Sequence, residues 1–302
     1  MIAAEISVVI PTLGRELLRG CLDALAAGTL RPAQVIVVDQ GRRAAVEEMA
    51  RAMRAAGLDV VYVPSTRTGR SAGLNDGIEL VTTEFLAITD DDCIPAKDWL
   101  ATAASLLRRE PGTIMTGRVE AGDEGVQLSV ATDRVATLQT RPRLSFDRLS
   151  GGNMAIAASV ARRLGPFEED ACMRTAEDAE YAYRALRAGV PIRYSPDMVV
   201  VHLGWREADQ RDEQYRSYAV SHGGFYGRYL RRGDAFIAVR AGLHWLRSLR
   251  RWLTGTLRRD ADRSRFGRAY ALGLLPGIAA GWRGRSADWS GIRSAGRSED
   301  GW

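Results

Sequence analysis

The chain has 302 residues, 46% hydrophobic and 26% charged, which is the composition of an ordinary soluble globular protein. This length allows one large core, or one domain with an appendage. Its three cysteines suit free thiols in a reducing compartment, and no C-x-x-C pair suggests a zinc site. No apolar run reaches about 18 residues, and the N-terminus lacks the basic segment of a signal peptide. We therefore expect a cytoplasmic protein.

The net charge of +5 conceals an asymmetry along the chain. Residues 1–205 carry 23 basic and 27 acidic side chains, a balance of −4, whereas residues 206–302 carry 19 and 10, a balance of +9. We therefore predict two parts: a body at 1–205 and a basic extension at 206–302.

The first 90 residues alternate between strand and helix patterns. Strands are predicted at 6–10, 35–38, 60–63 and 85–89, and helices at 15–28, 44–56 and 71–81. Near-continuous apolar strands in such an alternation favour an α/β fold, with a mostly parallel sheet covered by helices. Ligands bind at the carboxyl ends of such strands. Thr12, Asp39 and the acidic triplet 90–92 follow strands one, two and four, so one cleft could gather them.

Beyond residue 110 the alternation becomes less regular. Residues 114–150 contain short strand patterns without a clear arrangement, and a turn at 151–153 leads into another strand. A short helix is predicted at 159–164 and a longer one at 175–188. Thr175 would cap the longer helix, Asp178 stands at its capping-box position and Gly189 would end it.

The acidic triplet Asp90-Asp91-Asp92 follows an apolar strand and precedes Pro95. Adjacent carboxylates repel one another and resist desolvation unless something neutralises them. Mg²⁺ and Mn²⁺ prefer such oxygen ligands and complete their shells with water and phosphate oxygens. The triplet therefore indicates either a metal–diphosphate site or a solvated acidic turn.

Six segments, taken in order, resemble glycosyltransferase family 2, which has the GT-A fold. They are SVVIPT at 7–12, VIVVD at 35–39, GRSAGLNDGI at 69–78, TDDDCIP at 89–95, GGNM at 151–154 and EDAEY at 177–181. The resemblance covers roughly residues 5–205. It implies a Rossmann-like catalytic domain that transfers a sugar from a nucleotide diphosphate to an acceptor hydroxyl, with inversion at the anomeric carbon. The acceptor would be lipid-linked, a polysaccharide or a small molecule.

For the donor, the resemblance implies that Asp39 binds the nucleoside and that Thr12 lies beside the base. Asp39 could instead form a turn before Gly41, and Thr12 could cap a helix. Arg67, Arg70 and Asn75 belong to the segment placed against the donor, where arginine would bind phosphate. Solvated loop arginines are the alternative.

The triplet corresponds to the DXD element of the family. The resemblance implies that Asp92 ligates Mn²⁺ or Mg²⁺, that Asp90 lies nearer the ribose or sugar, and that Asp91 belongs to the donor-binding residues. His202 resembles a late histidine near the metal, although a structural histidine is equally compatible with the pattern.

The catalytic residues implied by the resemblance lie later in the chain. Asp178 matches the general base, with Glu177 orienting the site, while helix capping could account for one acidic residue there. Gly151, Gly152 and Asn153 would approach the sugar or acceptor closely, or form a plain tight turn.

Two other functions fit parts of the pattern. A sugar nucleotidyltransferase shares a similar sheet, but the loop after strand one contains a single glycine. A catalytically silent module that binds sugar nucleotides is the second.

The basic extension contains a predicted amphipathic helix at 235–253. Arg240, Arg247 and Arg251 would share one face, opposite an apolar face formed by Trp245, Leu246, Leu249, Trp252 and Leu253. Such a helix suits the surface of an anionic membrane, and the protein could then be peripheral at the inner face of the cell membrane. Packing on the body or on a second subunit, as in a homodimer, is the alternative. No module that reads nucleic acid is recognisable, so we expect no nucleic-acid partner.

Overall fold

The computed structural model describes residues 6–122, 130–203 and 211–284. Within these ranges, nine strands form one sheet flanked by helices, which confirms the predicted α/β class. The strands are β1 (Ile6–Thr12), β2 (Gln34–Asp39), β3 (Val60–Pro64), β4 (Phe85–Ile88), β5 (Cys93–Pro95), β6 (Ile114–Ala121), β7 (Thr137–Gln139), β8 (Met154–Ala157) and β9 (Ile192–His202). The helices are α1 (Leu18–Ala26), α2 (Ala44–Ala55), α3 (Arg70–Glu79), α4 (Trp99–Arg109), α5 (Ala158–Leu164), α6 (Glu177–Arg187), α7 (Arg211–Arg231), α8 (Ala235–Leu257) and α9 (Ala261–Arg283).

The N-terminal half of the sheet is parallel, in the order β3-β2-β1-β4. Every residue of β1 is buried, as expected for a strand with helices on both faces of the sheet. The register pairs Thr12 at the end of β1 with Asp39 at the end of β2. The loops that follow these strands therefore leave the sheet at one edge.

The C-terminal half of the sheet is mixed. β8 lies antiparallel to β4 and β6, and β9 pairs in parallel with β6 but antiparallel with β5 and β7. The region 114–150, which had no clear pattern in the sequence, supplies β6 and β7. The parallel arrangement predicted for the first four strands is thus extended by strands of both directions.

Helix α6 ends as predicted but begins differently. Gly189 adopts a positive φ of 76° just beyond the helix, the conformation that glycine tolerates best. At the other end the N-cap position is Ala176, and the buried hydroxyl of Thr175 has no hydrogen-bond partner. The prediction that Thr175 caps this helix is therefore wrong.

Helices α7, α8 and α9 pack together on the body. Their apolar cluster also includes Met173 and Tyr183, so it is continuous with residues of the body. Glycines on facing sides of α7 and α9 let the two backbones touch. A Cβ atom on Gly277 would lie 2.1 Å from the carbonyl oxygen of Val220, and one on Gly281 would lie 2.0 Å from that of Gly224.

Helix α8 is packed differently from the prediction. Arg240 is buried, not on an open basic face, and donates to the buried Asp147 at 2.6 Å. Trp245, placed on the open apolar face by the sequence, donates from Nε1 to the carbonyl of Ala271 on α9. The helix was predicted at the right position, but of its three predicted basic residues Arg240 is buried against the body while Arg247 and Arg251 are exposed. Among the described residues, no helix is long and apolar enough to cross a membrane.

We predict that Gly277→Ala lowers the free energy of unfolding by about 2 kcal/mol, because the new methyl group meets the α7 backbone. Gly242→Ala on α8 is the matched control. Nothing lies within 4 Å of its added Cβ, so the higher helix propensity of alanine should stabilise the protein by up to about 1 kcal/mol. Urea unfolding followed by circular dichroism measures both. Equal effects of the two substitutions would contradict the close α7–α9 contact.

Candidate active site

The acidic triplet lies at the sheet edge where β1, β2 and β4 end. Asp91 is buried and points inward: its Oδ2 accepts from the hydroxyl of Thr12 at 2.6 Å, and its Oδ1 accepts from Arg15 at 2.7 Å. Arg15 also donates to Asp92 at 3.1 Å. Burial raises the pKa of the Asp91 carboxyl to about 6, against the opposing effects of Arg15 and Thr12. Thr12 therefore anchors Asp91 and does not cap α1, whose N-cap position is Leu17.

Asp92 and His202 lie together because β5 and β9 pair Cys93 with His202. The Nε2 atom of His202 is 3.6 Å from Oδ1 of Asp92, and its buried Nδ1 has no hydrogen-bond partner among the described residues. The Cys93 sulfur belongs to the same cluster, but burial and the nearby carboxylates raise the pKa of this thiol well above its usual value. Carboxylate and imidazole ligands suit Mn²⁺, so the residues present fit a divalent cation.

Arg70 connects the triplet to helix α6. Its Nε atom donates to Oδ1 of Asp90 at 2.7 Å, and its Nη1 atom donates to Oε1 of Glu177 at 3.0 Å. The Nη2 atom of Arg70 and the Oε2 atom of Glu177 are buried and have no hydrogen-bond partner in the part of the chain that the structure describes. Arg70 therefore lies between the carboxylates of Asp90 and Glu177. Its Nη2 atom remains able to donate a hydrogen bond to a further group.

The turn at Gly151 and Gly152 lies between the triplet and Asp178. The backbone N–H of Gly151 points at Oδ2 of Asp178 at 3.4 Å. A Cβ atom on Gly152 would lie 2.7 Å from Oδ2 of Asp90, and one on Gly151 would lie 2.9 Å from Nη1 of Arg70. A side chain at either position would displace the end of the Arg70 or Asp90 side chain. The glycine turn therefore lies beside Asp90, Arg70 and Asp178, and we refer to the space that these residues border as the cleft.

Glu177 and Asp178 begin helix α6, where the helix dipole favours negative charge. Burial raises the pKa of both carboxyl groups, while Arg70 opposes the rise in each case. A carboxylate with a raised pKa is a stronger base. Asp178 accepts from the backbone N–H of Ala179 at 2.7 Å, which fixes one oxygen. The predicted pair is thus brought to the cleft together with Arg70.

Asp39 stabilises a turn before Gly41, which was the alternative to its predicted role in binding the nucleoside. The fully buried carboxylate accepts four hydrogen bonds, from the backbone N–H groups of Gly41, Arg42 and Arg43 and from the hydroxyl of Tyr62. These bonds use the four acceptor sites of a carboxylate. Nucleoside binding by Asp39 stays a prediction.

Asn75 has a structural role, and its predicted part in binding the donor stays a prediction. It is buried, and its amide exchanges hydrogen bonds of 2.9 and 2.8 Å with the backbone of Phe167 and donates to Glu169 at 2.7 Å. Arg67 is likewise paired with Asp76 at 2.5 Å and with Glu169. These two residues hold the segment 167–169 against α3.

Asn153 also has structural partners, and its predicted place against the sugar or acceptor stays a prediction. The buried amide accepts from Trp99 Nε1 at 2.8 Å and donates to the carbonyls of Arg118 and Met198. It therefore joins α4, β6 and β9 beneath the glycine turn.

Arg15 is a site residue that the sequence interpretation missed. Its signal was an arginine shortly after the end of β1, the strand next to the one that carries the triplet. Without the register of β1 and β4, nothing distinguishes it from other loop arginines.

Comparison with known proteins agrees with this geometry. A family model described as glycosyltransferase like family 2 matches residues 3–217. The chain is 26% identical over 217 residues to glycosyltransferase AglE of Haloferax volcanii, covering 70% of this chain and 71% of that protein. It is 26% identical over 182 residues to a pre-mycofactocin glycosyltransferase of Mycobacterium tuberculosis, covering 58% of this chain but only 38% of that protein.

Solved structures share the fold. Mannosyltransferase PcManGT from Pyrobaculum calidifontis, in complex with GDP-Man and Mn²⁺, has a TM-score of 0.64 at 18% identity and covers 92% of this chain and 85% of its own. S. aureus TarS 1–349, in complex with UDP-GlcNAc, has a TM-score of 0.57 at 16% identity, with coverages of 89% and 92%. These likenesses confirm the GT-A fold.

The extent of the family match shows that the chain belongs to glycosyltransferase family 2. It is a glycosyltransferase, as the sequence predicted, which sets aside the nucleotidyltransferase and the silent module.

We predict that Asn75→Ala lowers the free energy of unfolding by about 2–3 kcal/mol, because buried groups of the Phe167 backbone lose their partners. Gln34→Ala is the control, since it removes a single exposed hydrogen bond to Leu80 and should change stability by about 1 kcal/mol or less. Urea unfolding measures both. If Asn75→Ala instead left the stability unchanged and weakened nucleotide binding, the predicted role of Asn75 in binding the donor would be supported.

Proposed function

We propose that this enzyme transfers a sugar from a nucleoside-diphosphate donor to an acceptor hydroxyl, with inversion at the anomeric carbon. The observation that carries the proposal is the Gly151–Gly152 turn, which touches Asp178 on one side and Asp90 and Arg70 on the other. A proton acceptor and the donor-side carboxylates therefore border the same cleft.

The donor class is supported by the chemistry of the cleft and by the neighbours. GDP-Man and UDP-GlcNAc are bound in two structures of the same fold. Asp92 and His202 would hold Mn²⁺ or Mg²⁺, which supplies Lewis-acid stabilisation of the charge that develops on the diphosphate. The unpartnered Nη2 atom of Arg70 offers a further hydrogen bond to a phosphate or sugar oxygen.

Asp178 would act as the general base. As the acceptor oxygen attacks the anomeric carbon, its proton passes to the carboxylate, and the bond from that carbon to the diphosphate oxygen breaks. A single displacement inverts the anomeric carbon. Glu177, held by Arg70, positions the start of α6 and so keeps Asp178 beside the glycine turn.

We predict that Asp178→Asn slows transfer by about 10²–10⁴-fold, because the amide cannot accept the proton. Since water can replace the acceptor, the assay follows release of nucleoside diphosphate from a panel of UDP-glucose, UDP-N-acetylglucosamine and GDP-mannose. Binding of UDP and GDP, measured by calorimetry, should not change. Near-normal turnover would move the base to another residue.

We predict that Asp92→Asn removes the dependence of nucleotide binding on Mn²⁺, lowering affinity at least tenfold. Calorimetry with UDP and with GDP, each with and without Mn²⁺, measures the effect. Asp98→Asn is the control, because this exposed carboxylate lies six residues further along the same connection and makes no capping hydrogen bond. Equal affinities for the two variants would exclude Asp92 as a ligand.

A further inference from the structure

Helices α8 and α9 carry an apolar outer surface that is not covered by any described part of the chain. Val239, Leu246 and Leu253 of α8, with Leu272, Leu275 and Trp282 of α9, are each more than half exposed. The seven-residue spacing on α8 returns to almost the same angle, since two helical turns take 7.2 residues. We name these six residues the outer plate.

The plate is one continuous surface because of how the two helices pack. Trp245 of α8 bonds to Ala271 of α9, so the two antiparallel helices lie side by side. On the inner side, Arg240 of α8 is fixed to Asp147, and Gly277 of α9 contacts α7. The inner face of α8 is thus covered by the body and that of α9 by α7, so the opposite faces of both helices point outward.

Positive charge surrounds this apolar surface. Apart from the buried Arg240, residues 235–284 contain nine arginines and two aspartates, a balance of +7. Arg250, Arg265 and Arg268 are exposed at the end of the plate near Leu253, and Leu257 at the tip of the hairpin is 83% exposed. An apolar face bordered by exposed arginines is the pattern of a helix that lies in the membrane interface.

We propose that the α8–α9 hairpin lies flat on an anionic lipid bilayer, with the outer plate among the acyl chains and the arginines at lipid phosphates. Helix α8 is about 35 Å long, at 1.5 Å per residue, so contact extends along the hairpin without crossing the bilayer. Leu246 and Leu253 belong to the apolar face that the sequence predicted, whereas Trp245 and Arg240 of that helix make contacts inside the protein. The proposal is independent of the proposed sugar transfer.

The test is sedimentation of the full chain with vesicles of phosphatidylcholine containing about 30% phosphatidylglycerol, compared with pure phosphatidylcholine. We expect binding to the anionic vesicles, at least tenfold weaker binding to neutral ones, and weakening as salt rises. The double variant Leu246→Glu/Leu275→Glu and the double variant Arg265→Ser/Arg268→Ser should each lower the affinity for anionic vesicles at least tenfold.

Matched controls separate this surface from general effects. Leu80→Glu/Val135→Glu changes two exposed apolar residues of the body, and Arg162→Ser/Arg163→Ser changes two exposed arginines of α5. Both controls should bind vesicles like the wild type, and all variants should keep the wild-type far-ultraviolet circular dichroism and nucleotide binding. Equal vesicle binding by plate and control variants would overturn the proposal. So would a light-scattering dimer that becomes a monomer on Leu246→Glu/Leu275→Glu without any vesicle binding, because the plate would then join two copies.

Discussion

Five carboxylates crowd the cleft, and two arginines hold them in place. Among the described residues, Arg15 pairs with Asp91 and Asp92, and Arg70 pairs with Asp90 and Glu177, beside which Asp178 lies. Like charges at this spacing resist burial, and burial raises the pKa of Asp91, Glu177 and Asp178. Arg70 reduces the cost by pairing with Asp90 and Glu177 at once. The surplus of negative charge that remains is what a divalent cation would neutralise at Asp92 and His202.

The same constraint explains the surrounding packing. The turn carrying Gly151 and Gly152 approaches Asp90 and Arg70 so closely that a side chain there would displace the carboxylate or the guanidinium. Asn153, the next residue, fixes this turn to three elements of the body. The hydrogen bonds of the neutral Asn153 amide therefore fix the glycine turn beneath the charged side chains. Because the turn is fixed, the carboxylates beside it stay close to one another.

The sequence predicted the first four strands and their helices well, because buried parallel strands are continuous apolar runs. It also brought Asp92, His202, Glu177 and Asp178 to one cleft through the order of the motifs. It could not separate ligand-facing from structural polar residues. Asn75 and Asn153 lie in motif segments, yet their amides serve the backbone of distant segments. The ion pairs of Arg15 and Arg240 could not be predicted for the same reason, since their partners lie 76 and 93 positions away in sequence.

The ion pair between Arg240 and Asp147 is 1% exposed on both sides, which separates it from bulk electrolyte. Mobile ions screen charges over about 8 Å in physiological solution, but only where solvent reaches them. Raising the ionic strength would thus weaken the attraction of the exposed arginines for an anionic partner while leaving α8 fixed to the segment that leads into Gly151. Helix α8 therefore carries exposed arginines whose attraction for anions depends on ionic strength, and a buried ion pair whose strength does not.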